Sequence, residues 1–289
     1  MESQTKFRTL SKTRILFWGI QRSGNHALIN WIFEQYKEPK MFLNHQSFGE
    51  ELKASPTRSL ASLGSEHCET PKVIYSQKDK QDWQAIWNNP EHGLNECLIV
   101  SFENHDISKI SSEQYLNGCQ VIDDSVVGAS ENTINVILLR DPFNMWMSYS
   151  PETGKAHDPC LWKVYAKEYL GITNSLPNKV CVSFNQWFSD QGYRNSLSKA
   201  LGVPFSDQGL NKVSQHGGGS NFDGTKYDGA AQKMNVLNRW EQSRNFLKKR
   251  QLLRVLRGDK EMNDLVKTIF PDLNQKWNRL TLGNFWYYL

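Results

Sequence analysis

The stretch RILFWGIQRSGNHALINW, residues 14–31, decides the fold. Its first part, RILFWG at 14–19, is a short apolar run rich in strand formers and ended by glycine, which is typical of a buried strand. After the loop, apolar residues recur from Leu28 to Tyr36 at a spacing that predicts a mostly buried helix. The segment is therefore predicted to form a strand, a glycine loop and a helix.

The loop itself has the pattern GxxxxG, from Gly19 to Gly24. Between a strand and a helix, such a loop holds an anionic group with backbone N–H groups and the helix N-terminus. A nucleotide triphosphatase would follow the second glycine with Lys and then Ser or Thr, whereas this chain has Asn25 and His26. Arg22 and Ser23 remain as donors to an oxyanion without a metal. The alternative is a tight turn in which Arg22 is exposed and idle.

Further continuous apolar runs predict a parallel sheet covered on both faces. They are CLIVSF at 97–102, INVILL at 134–139 and KVCVSF at 179–184. Helices are predicted at 143–148, 161–170, 190–201 and 230–256, loops and short helices at 44–95, and a flexible loop at 208–229. The expected fold is α/β, with three layers, a central, mostly parallel sheet and a P-loop-like strand, loop and helix. We expect an N-terminal arm at 1–13 and a single domain at 14–289.

A second motif follows the third predicted strand, in the run VILLRDPFNMWMSYS. Arg140 stands at the carboxyl end of that strand, and Ser148 comes later, in the next helix. Ligands of open α/β sheets bind beyond the carboxyl ends of the strands, so Arg140 is expected to face the same crevice as the glycine loop. A guanidinium fork and a hydroxyl suit a phosphate monoester. The alternatives are a structural salt bridge of Arg140 with Asp141, and an ordinary helical serine.

The two motifs together resemble the PAPS-dependent sulfotransferases, where PAPS is 3'-phosphoadenosine 5'-phosphosulfate. The first loop of that family reads Lys or Arg, Ser, Gly and two small polar residues, and here Arg22, Ser23, Gly24, Asn25 and His26 occupy those places. Asn25 and His26 depart from the Thr or Ser that is common in the family. The resemblance implies an enzyme that binds PAPS, releases PAP and requires no metal, with this loop at the 5'-phosphosulfate.

The family also pairs an Arg after a strand with a Ser at the same separation as Arg140 and Ser148, so the resemblance implies that this pair binds the 3'-phosphate. A third family element is a glycine-containing loop that closes over the nucleotide. The comparable segment is Gly217–Lys226, in which Gly219 and Ser220 are the candidates. An ordinary mobile surface loop is the alternative for this segment.

Sulfuryl transfer needs a cation at the departing bridging oxygen and a general base for an alcohol acceptor. Arg22 is the candidate for the oxygen, because it keeps its charge and lies in the loop. Three candidate bases follow predicted strands: Glu103, His105 and His45. Glu103 ranks first, since it comes directly after CLIVSF and resembles a Phe-Glu step of the glycan-modifying branch. For each of the three, a hydrogen-bonded loop residue is the alternative.

Composition adds weaker expectations. The net charge of +4 is too small and dispersed to indicate nucleic acid. The five cysteines are far apart and lack zinc-site spacing, which predicts free thiols. The polar N-terminus has no apolar run behind it, and no stretch is long and apolar enough to span a membrane. We therefore expect a cytoplasmic protein without a nucleic-acid or membrane partner.

Two rival functions remain open at this level. A kinase or nucleotidase with a degenerate P-loop would have lost its Lys-Ser/Thr step, and a noncatalytic nucleotide- or glycan-binding module would keep both phosphate sites without using Glu103 or His105. The expected acceptor is a hydroxyl, of a carbohydrate or of a small metabolite. Neither its identity nor the oligomeric state follows from the sequence.

Overall fold

A central β-sheet with helices on both faces organises the chain. The computed structural model describes residues 9–37, 39–44, 59–62, 72–74, 94–110, 128–148, 158–213 and 223–273. In chain order the elements are β1 (Thr9–Gly19), α1 (Asn25–Phe33), β2 (Lys40–Leu43), β3 (Ser59–Ser62), β4 (Lys72–Ile74), β5 (Asn95–Glu103), β6 (Ala129–Leu139), α2 (Pro142–Met147), α3 (Pro159–Tyr169), β7 (Lys179–Ser183), α4 (Phe184–Ser189), α5 (Gln191–Ala200), α6 (Arg239–Gln242), α7 (Phe246–Gly258) and α8 (Lys260–Ile269).

The strand order is β4-β3-β2-β5-β1-β6-β7. The run from β2 through β5, β1 and β6 to β7 is parallel, and β3 and β4 add an antiparallel edge. In the register, Gly19 pairs with Glu103 on one side and with Leu138 on the other. The carboxyl ends of β5, β1 and β6 therefore meet at one edge, as expected for a ligand-binding α/β sheet.

Alternate residues of β1 enter two separate cores, which confirms the three-layer α/β prediction. Phe17 packs with side chains of α1, α4 and α5, whereas Trp18 packs on the opposite face with those of α2, α3, α7 and α8. Both rings are almost fully buried. Because both faces are covered, the strands read as continuous apolar runs in the sequence.

β1 begins at Thr9, earlier than predicted, so residues 9–13 belong to the sheet and not to a loose arm. Because the sequence of residues 9–13, TLSKT, is mostly polar, it did not indicate a buried strand. Ser11 is fully buried and pairs with Asn95, whose side-chain amide donates to the carbonyl of Leu10 at 2.7 Å. The Asn95 amide is thus satisfied by the neighbouring strand, whereas the buried hydroxyl of Ser11 has no hydrogen-bond partner among the described residues.

The single helix predicted at 230–256 is wrong. The chain instead forms 3-10 turns at Ala231–Lys233 and Val236–Asn238, then the short α6, and then α7. Asn245 ends the irregular part, since its side chain accepts from the N–H of Lys248 at 3.0 Å and caps α7. The prediction of one helix missed this asparagine cap.

Other segments depart from the predictions in smaller ways. Loops and short helices were expected at 44–95, yet β3 and β4 are strands. The helix α8 was not predicted, although Asp259 caps it by accepting from the N–H of Met262 at 3.0 Å. The loop expected at 208–229 begins with a 3-10 turn at Gln208–Asn211, and its residues 214–222 lie outside the described part of the chain.

Two expectations from composition concern cysteines and membranes. Cys97, Cys160 and Cys181 are free thiols in the structure. Within the described ranges, no helix combines the length and the apolar character needed to cross a membrane.

Candidate functional site

A cavity of about 280 Å³ opens at the carboxyl edge of the sheet. It is surrounded by the loop between β1 and α1, the end of β5, Arg140 after β6, Ser148 after α2, residues of α4, and the segment 231–239. The predicted site residues on its wall are Arg22, Gly24, Asn25, His26, Glu103, Arg140 and Ser148. Residues far apart in the sequence thus converge on one cavity.

The glycine loop turns through two residues with left-handed backbone. Arg22 has φ of 71° and Gly24 has φ of 95°, and the N–H of Ser23 donates to the carbonyl of Ile20 at 3.1 Å. A Cβ atom on Gly24 would lie 2.1 Å from the ring of Phe184. Both the backbone angle and this ring therefore require glycine at position 24.

The N-terminus of α1 faces the cavity, since Gly24, Asn25 and His26 all line it. Among the described residues, no side chain caps this helix. The first N–H groups of a helix have no partner inside the helix, and the helix dipole favours negative charge there. The loop therefore has the strand, loop and helix form that the sequence predicted, with a helix N-terminus, a common place for anions to bind, at the cavity.

Ser23 is the exception in this loop. Its side chain is fully buried, and its hydroxyl lies 3.3 Å from the sulfur of Met145. It is not part of the cavity wall formed by the described residues. The hydroxyl of Ser23 therefore packs beneath the loop, contrary to its predicted use as a donor to the ligand.

The side chains of Asn25 and His26 bind protein groups at the ends of two strands. Asn25 donates to the carboxylate of Glu103 at 2.8 Å. His26 lies 3.1 Å from the side-chain oxygen of Asn44, which also accepts from the hydroxyl of Ser101 at 3.3 Å. The loop is thereby connected to β2 and β5.

Arg140 follows β6 and is only 2% exposed. Its Nη1 donates to the backbone carbonyl of Arg22 at 3.1 Å, and its Nη2 donates to that of Val236. Its guanidinium lies over the ring of Phe184, 4.6 Å from the centroid. Arg140 therefore joins the glycine loop to the segment 231–239 while lining the cavity between them.

Ser148 and Arg239 lie together at the same end of the cavity. Ser148 follows α2, and its hydroxyl accepts from Nη1 of Arg239 at 2.6 Å. Arg239 is 7% exposed and lines the cavity. A second guanidinium thus accompanies the predicted pair of Arg140 and Ser148.

Positive charge accumulates at this end of the cavity. Burial, together with the neighbouring charge of Arg239, lowers the pKa of Arg140 to about 9 against the opposing effect of Asp141. Burial also lowers the pKa of Arg239 to about 10, with Arg22 acting in the same direction and Asp223 against it. Burial and neighbouring positive charge therefore disfavour the charged forms of both guanidiniums.

A hydrogen-bonded layer behind the cavity positions Arg239. Asp141 caps α2 by accepting from the N–H of Asn144 at 2.9 Å, and it also binds the amide of Asn185 at 2.9 Å. Asn144 then donates to the carbonyl of Leu237 at 2.8 Å and accepts from the N–H of Trp240 at 3.1 Å. Because these two contacts flank Arg239, α2 determines where that guanidinium lies.

The three candidate bases differ in placement. The carboxyl-bearing side chain of Glu103 lines the cavity. The ring of His105 instead packs edge-on against Phe102, with centroids 5.8 Å apart, and its backbone carbonyl accepts from the hydroxyl of Tyr165 at 3.0 Å. His105 is not on the described cavity wall. His45, like Gly219 and Ser220, lies outside the described residues.

Sequence reasoning missed Arg239 and the aromatic wall of Phe184 and Trp187. Phe184 is the last residue of the strand predicted at 179–184, at the carboxyl edge of the sheet, so its position was a usable signal. Arg239 had no such signal, because it falls in the middle of the long helix predicted at 230–256.

No protein-family model matches the chain, and no curated protein matches it in sequence. Similar solved structures include the sulfotransferase domain of the Synechococcus PCC 7002 olefin synthase, at 14% identity and a TM-score of 0.43, covering 84% of this chain and 91% of that one. The sulfotransferase domain from the curacin biosynthetic pathway has 13% identity and a TM-score of 0.43, with 91% and 98% covered. Mouse sulfotransferase SULT7A1 complexed with PAP has 9% identity and a TM-score of 0.41, with 89% and 90% covered.

Proposed function

We propose that this chain is a PAPS-dependent sulfotransferase that transfers a sulfuryl group to an acceptor hydroxyl, of a carbohydrate or of a small metabolite. The observation that carries the proposal is the buried group of Arg140, Arg239 and Ser148, which shares one cavity with the glycine loop. The cavity therefore has two regions suited to anions, one at a helix N-terminus and one at a pair of guanidiniums.

The second region suits a phosphate monoester. Two buried guanidiniums offer a set of donors that matches several oxygens of one dianion, and the hydroxyl of Ser148 adds a further polar contact. Burial, and to a lesser extent neighbouring positive charge, lowers the pKa values of both guanidiniums, so their charge is costly where no anion is close. A bound dianion would compensate it.

Two separate anion sites fit PAPS better than ATP. PAPS carries a phosphosulfate on the 5' side of its ribose and a phosphate on the 3' side, whereas ATP carries all its phosphates on one side. The apolar wall of Phe184, Trp187 and Met234 lines the same cavity and suits an adenine ring. Asn25 and His26 stand where a kinase would have the Lys and Ser or Thr for phosphate and magnesium.

The proposed reaction is an in-line displacement at sulfur. The acceptor oxygen forms a bond to sulfur while the bond from sulfur to the bridging oxygen of the 5'-phosphate breaks, and PAP leaves with that electron pair. Glu103 accepts the acceptor's proton, since its carboxylate lies on the cavity wall. Arg22 stabilises the charge that grows on the bridging oxygen.

The test is sulfuryl transfer from labelled PAPS to a panel of alcohols, phenols and sugars in the presence of EDTA. The expected result is a labelled acceptor and stoichiometric PAP. Cleavage of ATP that depends on magnesium, with no transfer from PAPS to any member of the panel, would contradict the proposal and favour the kinase or nucleotidase alternative.

A further inference from the structure

We propose that Asn25 is a positioning residue that holds the carboxylate of Glu103 for proton transfer, an inference that rests on the proposed function. From the sequence, Asn25 was expected to contact the nucleotide. In the structure its side-chain amide contacts Glu103 instead, with Nδ2 and Oε1 2.8 Å apart. The first residue of α1 thereby binds the last residue of β5.

The orientation of the Asn25 amide follows from its partners. Nδ2 lies 2.8 Å from Oε1 of Glu103 and 3.2 Å from the carbonyl oxygen of Ile20. Both partners are acceptors, so the side-chain nitrogen, and not the oxygen, must face them. A donor held between two acceptors fixes the carboxylate in one place.

Gly19 makes room for this arrangement. A Cβ atom on Gly19 would lie 2.1 Å from Oδ1 of Asn25. Gly19 is also the residue that pairs with Glu103 in the register of β1 and β5. The Asn25 side chain, which is only 8% exposed, therefore packs against the residue beside Glu103 in the sheet.

The residue after Glu103 is tied to the same loop through independent contacts. Asn104 has a left-handed backbone, with φ of 61°, and its N–H donates to the carbonyl of Gly19 at 3.0 Å. Its side-chain oxygen accepts from the N–H of Gln21 at 2.8 Å. Main-chain and side-chain bonds thus hold the end of β5 against the loop that is proposed to bind the donor.

This arrangement gives Asn25 a role through Glu103 and not through the nucleotide. A hydrogen bond to an ionised carboxylate restrains the direction of its lone pairs, and proton transfer depends on that direction. Removing the amide should therefore slow turnover without weakening nucleotide binding. If Asn25 instead contacted a phosphate, removing the amide should weaken nucleotide binding.

The kinetic test compares Asn25→Ala with Asn30→Ala, a matched control on the same helix. Asn25→Ala is expected to lower kcat on the order of 10-fold, with the dissociation constant of PAP unchanged, whereas Asn30→Ala should change neither. In a Glu103→Gln background, Asn25→Ala should have little further effect on kcat. A loss of PAP affinity with kcat unchanged, or full additivity with Glu103→Gln, would overturn the inference.

A second substitution separates positioning from a structural role. Asn25→Asp keeps the shape of the side chain and suits a helix N-terminus, so a merely structural residue would tolerate it. It places a second carboxylate against Glu103, so the inference predicts that it lowers kcat at least as much as Asn25→Ala. Normal kcat in Asn25→Asp would contradict the inference.

A spectroscopic measurement is independent of activity. In protein labelled with 13C-glutamate, the carboxyl resonance that disappears in Glu103→Gln identifies Glu103. It should move in Asn25→Ala and stay in Asn30→Ala, because the Asn25 amide donates to that carboxylate. An unmoved resonance would overturn the positioning role, whereas a moved resonance in a protein that transfers no sulfuryl group would overturn the proposed function alone.

Discussion

Arg239 donates a hydrogen bond to the hydroxyl of Ser148 at 2.6 Å, although the two residues are 91 positions apart. Ser148 in turn donates to the backbone carbonyl of Asn144 at 2.6 Å. A phosphate oxygen could replace the hydroxyl as the acceptor for Arg239, and the hydroxyl could then turn its one proton from the Asn144 carbonyl to the phosphate. Arg239 therefore lines the same cavity as Arg140 and Ser148, and we propose that the three bind one anion.

Replacing Arg140 should weaken the binding of nucleotides that carry a 3'-phosphate more than the binding of those that lack one. Arg140→Ala is expected to weaken PAP binding by roughly 2 to 4 kcal/mol, the scale for removing one partner of a desolvated charged pair. The affinity for adenosine 5'-phosphosulfate, which lacks the 3'-phosphate, should fall much less. Calorimetric titration measures both, and equal losses for the two nucleotides would show that Arg140 is not at the 3'-phosphate.

Arg239 should behave in the same way, although the sequence alone did not indicate it. Arg239→Ala is expected to weaken PAP binding selectively over adenosine 5'-phosphosulfate, because its buried guanidinium lies beside Arg140 and Ser148. Arg254→Ala, on the exposed side of α7, is the control and should leave both affinities unchanged. If the two arginine variants bind PAP equally well, Arg239 is a structural residue.

Glu103→Gln tests the assignment of the general base. Turnover should fall on the order of 100-fold or more, since a base acts on the acceptor's proton. The affinity for PAP should stay nearly unchanged, and the near-isosteric change should preserve folding. His105→Ala should keep its turnover, because the His105 ring packs on Phe102 away from the cavity wall. Activity of Glu103→Gln at the normal rate would favour a noncatalytic role for Glu103.

Gly24 should be more sensitive to substitution than Gly171, another glycine with positive φ. Gly171 has φ of 71° with no atom near its Cβ position, so Gly171→Ala should cost only about 1 kcal/mol of unfolding free energy for the backbone. Gly24→Ala adds the contact with the ring of Phe184 and should cost more. Urea denaturation measures the difference, and Phe184→Leu should reduce it. Equal costs for both glycines would contradict the close packing described above.

The strand, loop and helix at residues 14–31 could be predicted because their signals are local. A continuous apolar run, two glycines and a helical apolar spacing all lie within a short stretch of the chain. Arg140 could be placed for the same reason, since it directly follows a buried strand and the carboxyl ends of such strands share one edge.

The position of His105 could not be predicted from its spacing. Glu103 and His105 are two residues apart, which in a continuing strand would put both side chains on one face. The strand ends at Glu103, however, and the left-handed backbone of Asn104 turns the chain. Of these two residues, Glu103 alone therefore lines the cavity.

The placement of Arg239 in the cavity could not be predicted for a different reason. It reaches the site because Asn144 binds the backbone on either side of it, at Leu237 and Trp240. These are tertiary contacts between segments far apart in the chain. A local sequence pattern carries no information about such contacts.

The most direct test of the central claim is a calorimetric titration of PAP into the protein with EDTA present. We expect PAP to bind as a single ligand and to bind much more tightly than 5'-AMP, because Arg140, Arg239 and Ser148 supply a site for the 3'-phosphate without a metal. ATP with magnesium should bind more weakly than PAP. Failure of PAP to bind, together with tight binding of ATP and magnesium, would contradict the account.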